Sequence, residues 1–278
     1  MTRIACQQLA PVLGDLAANR SIALAAIREA VDDGADVVVL PELITSGYMF
    51  ESPQEAAAAA ISPDHEILVE WAAEAARAGI VLVGGFCELG DDGRIYNSAA
   101  VFDPTGLRAV YRKLHLWDRE KLVFTPGSAL PPVLDTRIGR VAVIVCYDLE
   151  FPELCRSVAL AGTQLLLVPT NWPLVPRPEY EHPPEAMIAM AAARVNRMAV
   201  ACADRLGLER GQEWTGGTTI IGVDGWVAAE SRAPGLVAAD VDLAGALDKR
   251  LTDHADVFGD RRPELYAAIT QLGIKTDG

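Results

Sequence analysis

The chain has 278 residues, of which 51% are hydrophobic and 22% are charged, and its formal net charge at pH 7 is −14. This composition predicts an ordinary folded core, and the acidic balance argues against nucleic acid or an anionic membrane as a partner. No apolar run approaches the roughly 18 residues of a membrane span, and the N-terminus lacks the pattern of a signal peptide. We therefore expect a cytoplasmic protein.

The five cysteines and four histidines are scattered along the chain. They form neither a Cys-x-x-Cys pair nor a His-Glu-x-x-His pattern, so the sequence indicates no disulfide framework and no metal site. A Walker loop, a Gly-x-Gly-x-x-Gly turn and a Gly-x-Ser-x-Gly elbow are also missing. The sequence therefore predicts a protein that works without a metal or an organic cofactor.

Apolar runs and helical periodicities predict strands and helices in alternation. Strands are expected at 4–9, 35–40, 80–87, 97–102 and 107–112, and helices at 19–31 and at 56–78 with a break near Ser62-Pro63. A hairpin is expected at 133–136 and 140–145, followed by a helix at 153–161, a strand at 164–170, a helix at 184–197 and a strand at 198–203. Segments 216–223, 226–231 and 236–241 are expected to form a final antiparallel group before a short helix at 242–250.

Strand–helix–strand units thus alternate with hairpins, and no Pro/Gly-rich linker divides the chain. This pattern predicts one domain over residues 1–278, with a charged C-terminal tail from about residue 260 and a layered α/β architecture. In open α/β sheets, ligands and catalytic groups gather at the carboxyl ends of the strands. Polar residues that directly follow buried strands are therefore the first candidates for a functional site.

Cys146 follows the apolar run 141–145, which predicts a strand buried on both faces. Pro152 suits the first position of the next helix, so the cysteine is expected on a strand-to-helix turn. A thiol near the positive end of a helix dipole can have a lowered pKa and act as a nucleophile. The alternative is an inert core cysteine, because free cysteine is among the most buried residue types.

Two further polar residues follow buried strands. Glu42 comes directly after 37–41, where desolvation would raise its carboxyl pKa toward the range of a general base. Lys113 follows the strand 107–112, and its ammonium could stabilise an oxyanion or a thiolate. Taken singly, each could be an ordinary surface group. His115 is the nearest partner for a Cys–His pair, but no spacing favours it over Glu42.

Six motifs, in order along the chain, resemble those of the nitrilase superfamily of carbon–nitrogen hydrolases. They are Pro-Glu-Leu at 41–43, Tyr-Arg-Lys-Leu-His-Leu-Trp at 111–117, Phe-Thr-Pro-Gly at 124–127, Val-Cys-Tyr-Asp-Leu-Glu-Phe-Pro-Glu at 145–153, Val-Pro-Thr-Asn-Trp-Pro at 168–173 and Ala-Ala-Arg-Val-Asn-Arg at 192–197. The resemblance runs from about residue 4 to residue 266. It implies a four-layer α-β-β-α sandwich whose subunits associate as homodimers or larger homo-oligomers.

The resemblance also implies a Glu–Lys–Cys triad, which falls on Glu42, Lys113 and Cys146. It implies a second carboxylate shortly after the lysine, for which Glu120 is the candidate, with an ion pair to a neighbouring basic residue as the alternative. The implied reaction cleaves the C–N bond of a small amide, through a cysteine thioester, to a carboxylic acid and ammonia. The triad alone leaves an aliphatic nitrilase and a carbamoyl-amine hydrolase open. A non-enzymatic binding or assembly protein on the same fold is the third alternative, against which the intact triad argues.

Five residues near these motifs are candidates for lining a small substrate pocket, with core or interface packing as the alternative. They are Tyr48, Trp117, Tyr147, Asn171 and Trp172.

Glu150 bears on the charge of the substrate. Relatives that act on N-carbamoyl amino acids commonly have an arginine just after the cysteine motif, whereas this chain has Leu149-Glu150. Because like charges repel, we expect a neutral or cationic substrate. An arginine from another loop could reverse this expectation, and the candidates are Arg177, Arg194 and Arg205.

Overall fold

The computed structural model describes residues 1–271. In the first half of the chain the elements are β1 (Thr2–Gln8), α1 (Leu16–Asp32), β2 (Val37–Val39), α2 (Pro53–Ala59), α3 (Glu66–Ala78), β3 (Val81–Leu89), β4 (Ile95–Asp103) and β5 (Gly106–Arg112). They are followed by β6 (Leu134–Thr136), β7 (Gly139–Val143), α4 (Pro152–Leu160), β8 (Leu165–Pro169), α5 (Pro184–Asn196), β9 (Ala199–Ala203), β10 (Leu208–Glu209), β11 (Gln212–Glu213), β12 (Thr219–Ile221), β13 (Val227–Glu230), β14 (Gly235–Val241), β15 (Arg250–Thr252) and β16 (Ala255–Asp256). Short 3-10 helices cover Asp118–Leu122, Cys146–Glu150, Leu243–Leu247, Pro263–Leu265 and Ala267–Thr270.

Two six-stranded sheets form the centre of the molecule, with the strand orders β14-β1-β2-β3-β4-β5 and β13-β12-β9-β8-β7-β6. In each sheet three parallel strands, β1–β3 or β7–β9, are flanked by antiparallel ones. Val39 and Val83 of the first sheet share one buried core with Val143 and Leu167 of the second. Burial of both inner faces in one core is what holds the two sheets together.

Helices cover the outer face of each sheet. Helices α1 and α3 pack on the first sheet, where Trp71 belongs to a second core. Leu154 of α4 and Ala193 of α5 pack on the second sheet. Because both faces of β2 are buried, its sequence is an unbroken run of valine rather than an alternating pattern. The predicted four-layer α-β-β-α sandwich is therefore confirmed.

The expectation that the last three strands form one antiparallel group was wrong. β12 and β13 pair at the edge of the second sheet, but β14 pairs antiparallel with β1 in the first, from Thr2↔Val241 to Gln8↔Gly235. The apolar residues of β14 fit either sheet, and the pairing satisfies the outer edge of β1, whose backbone groups would otherwise lack partners. β14 therefore ties the C-terminal part of the chain to its N-terminal strand.

A second C-terminal expectation was also wrong. The helix expected at 242–250 is only the 3-10 helix Leu243–Leu247, which Asp242 caps by accepting the Ala244 N–H at 3.0 Å. The tail expected from about residue 260 contains two short 3-10 helices, the second of which ends at Thr270, and residues 272–278 lie outside the described part of the chain. The assignment of the whole chain to one domain stays a prediction.

The break expected within 56–78 separates α2 from α3, so that prediction is confirmed. α3 ends at Gly79, whose φ of 70° lies in the left-handed region that glycine adopts without a steric cost. No helix within residues 1–271 is long and apolar enough to cross a membrane.

Candidate active site

Four strands deliver polar residues to one end of the sandwich. Glu42 and Asn171 come shortly after β2 and β8, Lys113 directly follows β5, and Cys146 comes three residues after the end of β7. β5 has the same direction as β2, because β3, β4 and β5 pair antiparallel in succession and β2 is parallel to β3. The two sheets are joined here by the Asn171 side-chain amide, which donates to the Glu42 carbonyl oxygen at 3.0 Å.

Glu42 is completely buried. Its Oε1 accepts hydrogen bonds from Lys113 Nζ at 2.7 Å and from the Asn97 side-chain amide at 2.7 Å. Its Oε2 is buried and has no hydrogen-bond partner among residues 1–271. The backbone of Gly85 packs so closely here that a Cβ at that position would lie 2.6 Å from the Glu42 Cα. Glu42 is therefore held by one oxygen, while the other keeps its lone pairs available to accept a proton.

Lys113 is also completely buried, and its ammonium lies between two carboxylates. Nζ is 2.7 Å from Glu42 Oε1 and 2.8 Å from Glu120 Oε1. Its backbone N–H donates to the Asn97 carbonyl oxygen at 2.9 Å, which fixes the base of the side chain. An ammonium has three N–H donors, so one remains beyond the two used on these carboxylates.

Glu120 lies on the 3-10 helix Asp118–Leu122 and is almost fully buried. Besides the contact with Lys113, its Oε1 accepts the hydroxyl of Tyr48. Its Oε2 accepts the Trp117 backbone N–H at 3.0 Å. Glu120 thus binds Lys113 and Tyr48. It does not form the alternative ion pair with a basic residue next to it in the sequence.

Cys146 lies on the turn between β7 and α4, at the start of the 3-10 helix Cys146–Glu150. Its φ is 47°, in the left-handed region that residues with a Cβ rarely adopt. Its Sγ lies 3.9 Å from the Asn171 carbonyl oxygen. A backbone held in this region is typical of functional turns, where surrounding contacts fix an otherwise unfavourable geometry.

The charges of the site perturb one another strongly. Burial raises the pKa of Glu42 to about 7, the positive charge of Lys113 lowers it, and the negative charge of Glu120 raises it. Burial lowers the pKa of Lys113, but the carboxylates of Glu120 and Glu42 outweigh burial and hold that pKa above its ordinary value. At neutral pH, Glu42 can therefore both accept and donate a proton, while Lys113 stays charged.

The expectation of a lowered thiol pKa at the strand-to-helix turn was wrong. Burial raises the pKa of Cys146 well above its ordinary value, the negative charge of Glu42 raises it further, and the positive charge of Lys113 only partly offsets both. A buried thiolate loses its hydration, which a short helix does not replace. Cys146 is thus a neutral thiol at rest and needs a base to take its proton.

A small pocket opens onto Cys146. It is lined by Trp117, Cys146, Tyr147, Leu149, Glu150, Asn171, Trp172, Pro173, Val175 and Glu185. Four of the five predicted pocket residues are among them. The fifth, Tyr48, lines an adjoining pocket together with Glu120 and Trp214, and Trp117 and Pro173 border both spaces. The structure brings these predicted residues to one place, and their binding roles stay predictions.

Sequence reasoning missed three side chains at this site. Asn97 holds Glu42, Glu185 lines the Cys146 pocket, and Asp148 is buried behind the Cys146 turn. A polar amide inside the apolar strand β4 was the available signal for Asn97. Glu185 had no such signal, because it is far from the cysteine in sequence and its position depends on how α5 packs.

The arginines that could reverse the charge of the pocket lie elsewhere, with one exception. Arg205 is buried and pairs with Glu209 at 3.0 Å, and Arg194 lines a separate surface hollow. Arg177 lies close enough for its charge to lower the pKa of Glu185, but burial outweighs it and that pKa is raised. Within residues 1–271, no group of three histidine, cysteine, aspartate or glutamate side chains could hold a metal ion.

Comparison with known proteins gives matches over nearly the whole chain. The model of the carbon-nitrogen hydrolase family matches residues 3–249. A nitrilase of Pyrococcus abyssi is 35% identical, over 96% of this chain and 99% of its own length.

Solved structures of an amidase from Nesterenkonia sp. AN1 are similar as well. A variant showing the result of Michael addition of acrylamide at the active site cysteine has a TM-score of 0.80 and 28% identity, covering 97% of this chain and 100% of that one. Another variant, in complex with butyramide, has a TM-score of 0.78 and 29% identity, covering 96% of each chain.

Proposed function

The chain belongs to the carbon-nitrogen hydrolase family, and on that premise we propose that it is an amidase that converts small amides to a carboxylic acid and ammonia. The observation that carries the proposal is the buried array in which Lys113 joins Glu42 to Glu120 beside the pocket that opens onto Cys146. The Nesterenkonia amidase, whose active site cysteine adds acrylamide, supports Cys146 as the nucleophile of this chain. Its complex with butyramide supports a small aliphatic amide as substrate.

In the first half-reaction, the Cys146 sulfur attacks the amide carbonyl carbon while Glu42 takes the thiol proton. The oxyanion that forms is stabilised by the remaining N–H of Lys113 and by the backbone N–H of Tyr147, next to the nucleophile. The C–N bond then breaks as Glu42 returns its proton to the leaving nitrogen. Ammonia departs, and the acyl group stays on Cys146 as a thioester.

In the second half-reaction, water attacks the thioester carbonyl and Glu42 takes a proton from it. The same donors stabilise the second oxyanion, the C–S bond breaks, and the thiol recovers its proton as the carboxylic acid leaves. Glu42 acts alternately as base and acid, a role that a pKa of about 7 suits. Glu120 holds Lys113 in place by the contact of 2.8 Å.

A nitrile is the second candidate substrate, favoured by the likeness to the Pyrococcus abyssi nitrilase. The same thiol would attack the nitrile carbon and give a thioimidate on the same residues. Ammonia release from matched aliphatic amides, nitriles and N-carbamoyl amines distinguishes the three substrate classes. Cys146→Ala is expected to abolish release, whereas Cys155→Ala, which changes another buried cysteine, is expected to retain it. Release that survives in Cys146→Ala would contradict the proposal.

The substrate that fits the pocket is neutral or cationic. Two carboxylates, Glu150 and Glu185, line the same pocket as Cys146, and burial together with the charge of Glu185 raises the pKa of Glu150. A substrate carboxylate would be repelled there, because like charges repel.

The test compares an amide that ends in a methyl group with matched amides that end in an ammonium or a carboxylate. For wild type we expect kcat/KM to be lowest with the carboxylate. Glu150→Gln should raise kcat/KM for that substrate about tenfold relative to the methyl one. An unchanged ratio would show that Glu150 does not act on substrate charge.

We also propose that the chain works in the cytoplasm as a homodimer or a larger homo-oligomer, as the family resemblance implies. Sedimentation velocity at micromolar concentration tests the assembly, and a monomer at all concentrations would contradict it.

A further inference from the structure

Asp148 is a fully buried carboxylate that makes four polar contacts. Its Oδ2 accepts the Tyr111 hydroxyl at 2.8 Å and the Val145 backbone N–H at 3.1 Å. Its Oδ1 accepts the His115 backbone N–H at 3.0 Å and lies 2.8 Å from His115 Nδ1. All the acceptor positions of this carboxylate are therefore occupied by groups from two parts of the chain.

These partners flank the two catalytic candidates that come from different sheets. Val145 directly precedes Cys146, on the turn after β7 of the second sheet. Tyr111 and His115 lie two residues before and two residues after Lys113, at the end of β5 of the first sheet. One side chain thus connects the segment that carries the ammonium to the turn that carries the thiol.

Aromatic rings link the same two segments a second time. His115 stacks on Phe151, with ring centroids 3.6 Å apart and an angle of 12° between the planes. Tyr147 packs edge-on against Phe151 at 5.2 Å and against Trp117 at 4.8 Å. These contacts favour one relative placement of the segments, because packed aromatic pairs have preferred geometries.

We propose that Asp148 is a positioning residue that holds the Cys146 turn in register with Lys113. The inference rests on the proposed function, since it takes both residues to act on one carbonyl group. Asp148 is not among the residues that line the Cys146 pocket, so it acts through its neighbours. Its hydrogen bond to Val145 restrains the backbone just before Cys146, whose φ of 47° needs such support.

Asp148→Asn tests this role, because the amide nitrogen cannot accept hydrogen bonds and two of the four contacts lose their acceptor. A misplacement of about 1 Å can cost roughly 100-fold in rate. We expect kcat to fall about 10- to 100-fold while KM stays within about threefold, because the substitution alters no side chain that lines the pocket. Tyr111→Phe removes a single donor and should give a smaller loss of the same kind.

The second readout is the rate at which iodoacetamide alkylates Cys146, followed by peptide mass spectrometry. Asp148→Asn is expected to change that rate several-fold. The matched control is Asp103→Asn, a buried carboxylate that accepts hydrogen bonds from Thr105 at the opposite end of the β4–β5 hairpin from Lys113. For Tyr111→Phe the control is Tyr96→Phe, whose hydroxyl instead donates to Asp92 at 2.7 Å.

Loss of kcat and a changed alkylation rate in Asp148→Asn, but not in Asp103→Asn, would support the positioning role. Equal effects in both variants that follow the folded fraction measured by circular dichroism would overturn it, because Asp148 would then contribute only stability. If wild type hydrolyses no amide, the proposed function fails. The alkylation rates of the two variants still decide the positioning role in that case.

Discussion

The pH dependence of kcat/KM should report the ionisation of Glu42. Burial raises the pKa of its carboxyl to about 7, and the residue accepts a proton in the first step only when it is ionised. The ionised fraction is then about one-tenth at pH 6, one-half at pH 7 and nine-tenths at pH 8, since each pH unit changes the ratio of the two forms tenfold. We therefore expect kcat/KM to rise about tenfold between pH 6 and pH 8.

Glu120→Gln provides the perturbation. The negative charge of Glu120 raises the pKa of Glu42, so its removal should lower that pKa and shift the acid limb to lower pH. A neighbouring charge in a buried site typically shifts a pKa by about 1 unit or more. We expect a shift of about 1 pH unit, accompanied by a lower maximal rate because Lys113 loses one of its two carboxylate partners.

The assay measures kcat/KM for the best amide from pH 5.5 to pH 9 at constant ionic strength. Glu153→Gln, which neutralises an exposed glutamate in the first turn of α4, is the matched control and should leave the limb in place. A limb that moves to higher pH in Glu120→Gln would refute the reasoning. A wild-type profile that is flat down to pH 5.5 would refute the assignment of Glu42 as the base.

Three substitutions test other parts of the account. Lys113→Met leaves Glu42 and Glu120 buried without their cation. We expect kcat/KM to fall by roughly 10²–10³ and the free energy of unfolding in urea to fall by about 3–5 kcal/mol. Full activity would contradict the oxyanion role of Lys113. Gly85→Ala places a methyl group 2.6 Å from the Glu42 Cα, and kcat should fall as that segment shifts. An unchanged kcat would contradict the role given to this close packing. Trp71→Ala removes a fully buried ring from the outer core, which should cost about 3–5 kcal/mol of unfolding free energy in urea. Its kcat per folded molecule should stay unchanged, and a large loss would show coupling between that core and the site.

The apolar patterns of the strands and helices predicted a layered α/β architecture, and the resemblance to the nitrilase superfamily added the four-layer arrangement. The unbroken run Val37–Val39 has both faces buried, and Pro152 begins α4 as its fixed φ favours. The partner of β14 could not be predicted, because a short, mostly apolar strand fits the edge of either sheet. The open edge of β1 decides the pairing, and that edge exists only once the first sheet has formed.

Glu120 followed only from the family resemblance. Glu42, Lys113 and Cys146 were predictable because each comes at or just beyond the end of a buried strand and within a recognisable motif. The contact of Lys113 with both Glu42 and Glu120 could not be predicted, since it depends on how β5 and the following 3-10 helix pack. The direction of the Cys146 pKa shift could not be predicted either, because burial outweighs any helix dipole there. The contacts by which Asp148 joins two distant segments could not be predicted from local sequence patterns.

The covalent intermediate tests the central claim most directly. Wild-type protein mixed with an amide substrate and quenched in acid within the first turnover should carry one acyl group, located on Cys146 by peptide mass spectrometry. Cys146→Ser and Cys146→Ala should not carry that thioester, and Cys155→Ala should form it as wild type does. Ammonia release without any acylated Cys146, or an acyl group on another residue, would contradict thiol catalysis at this site.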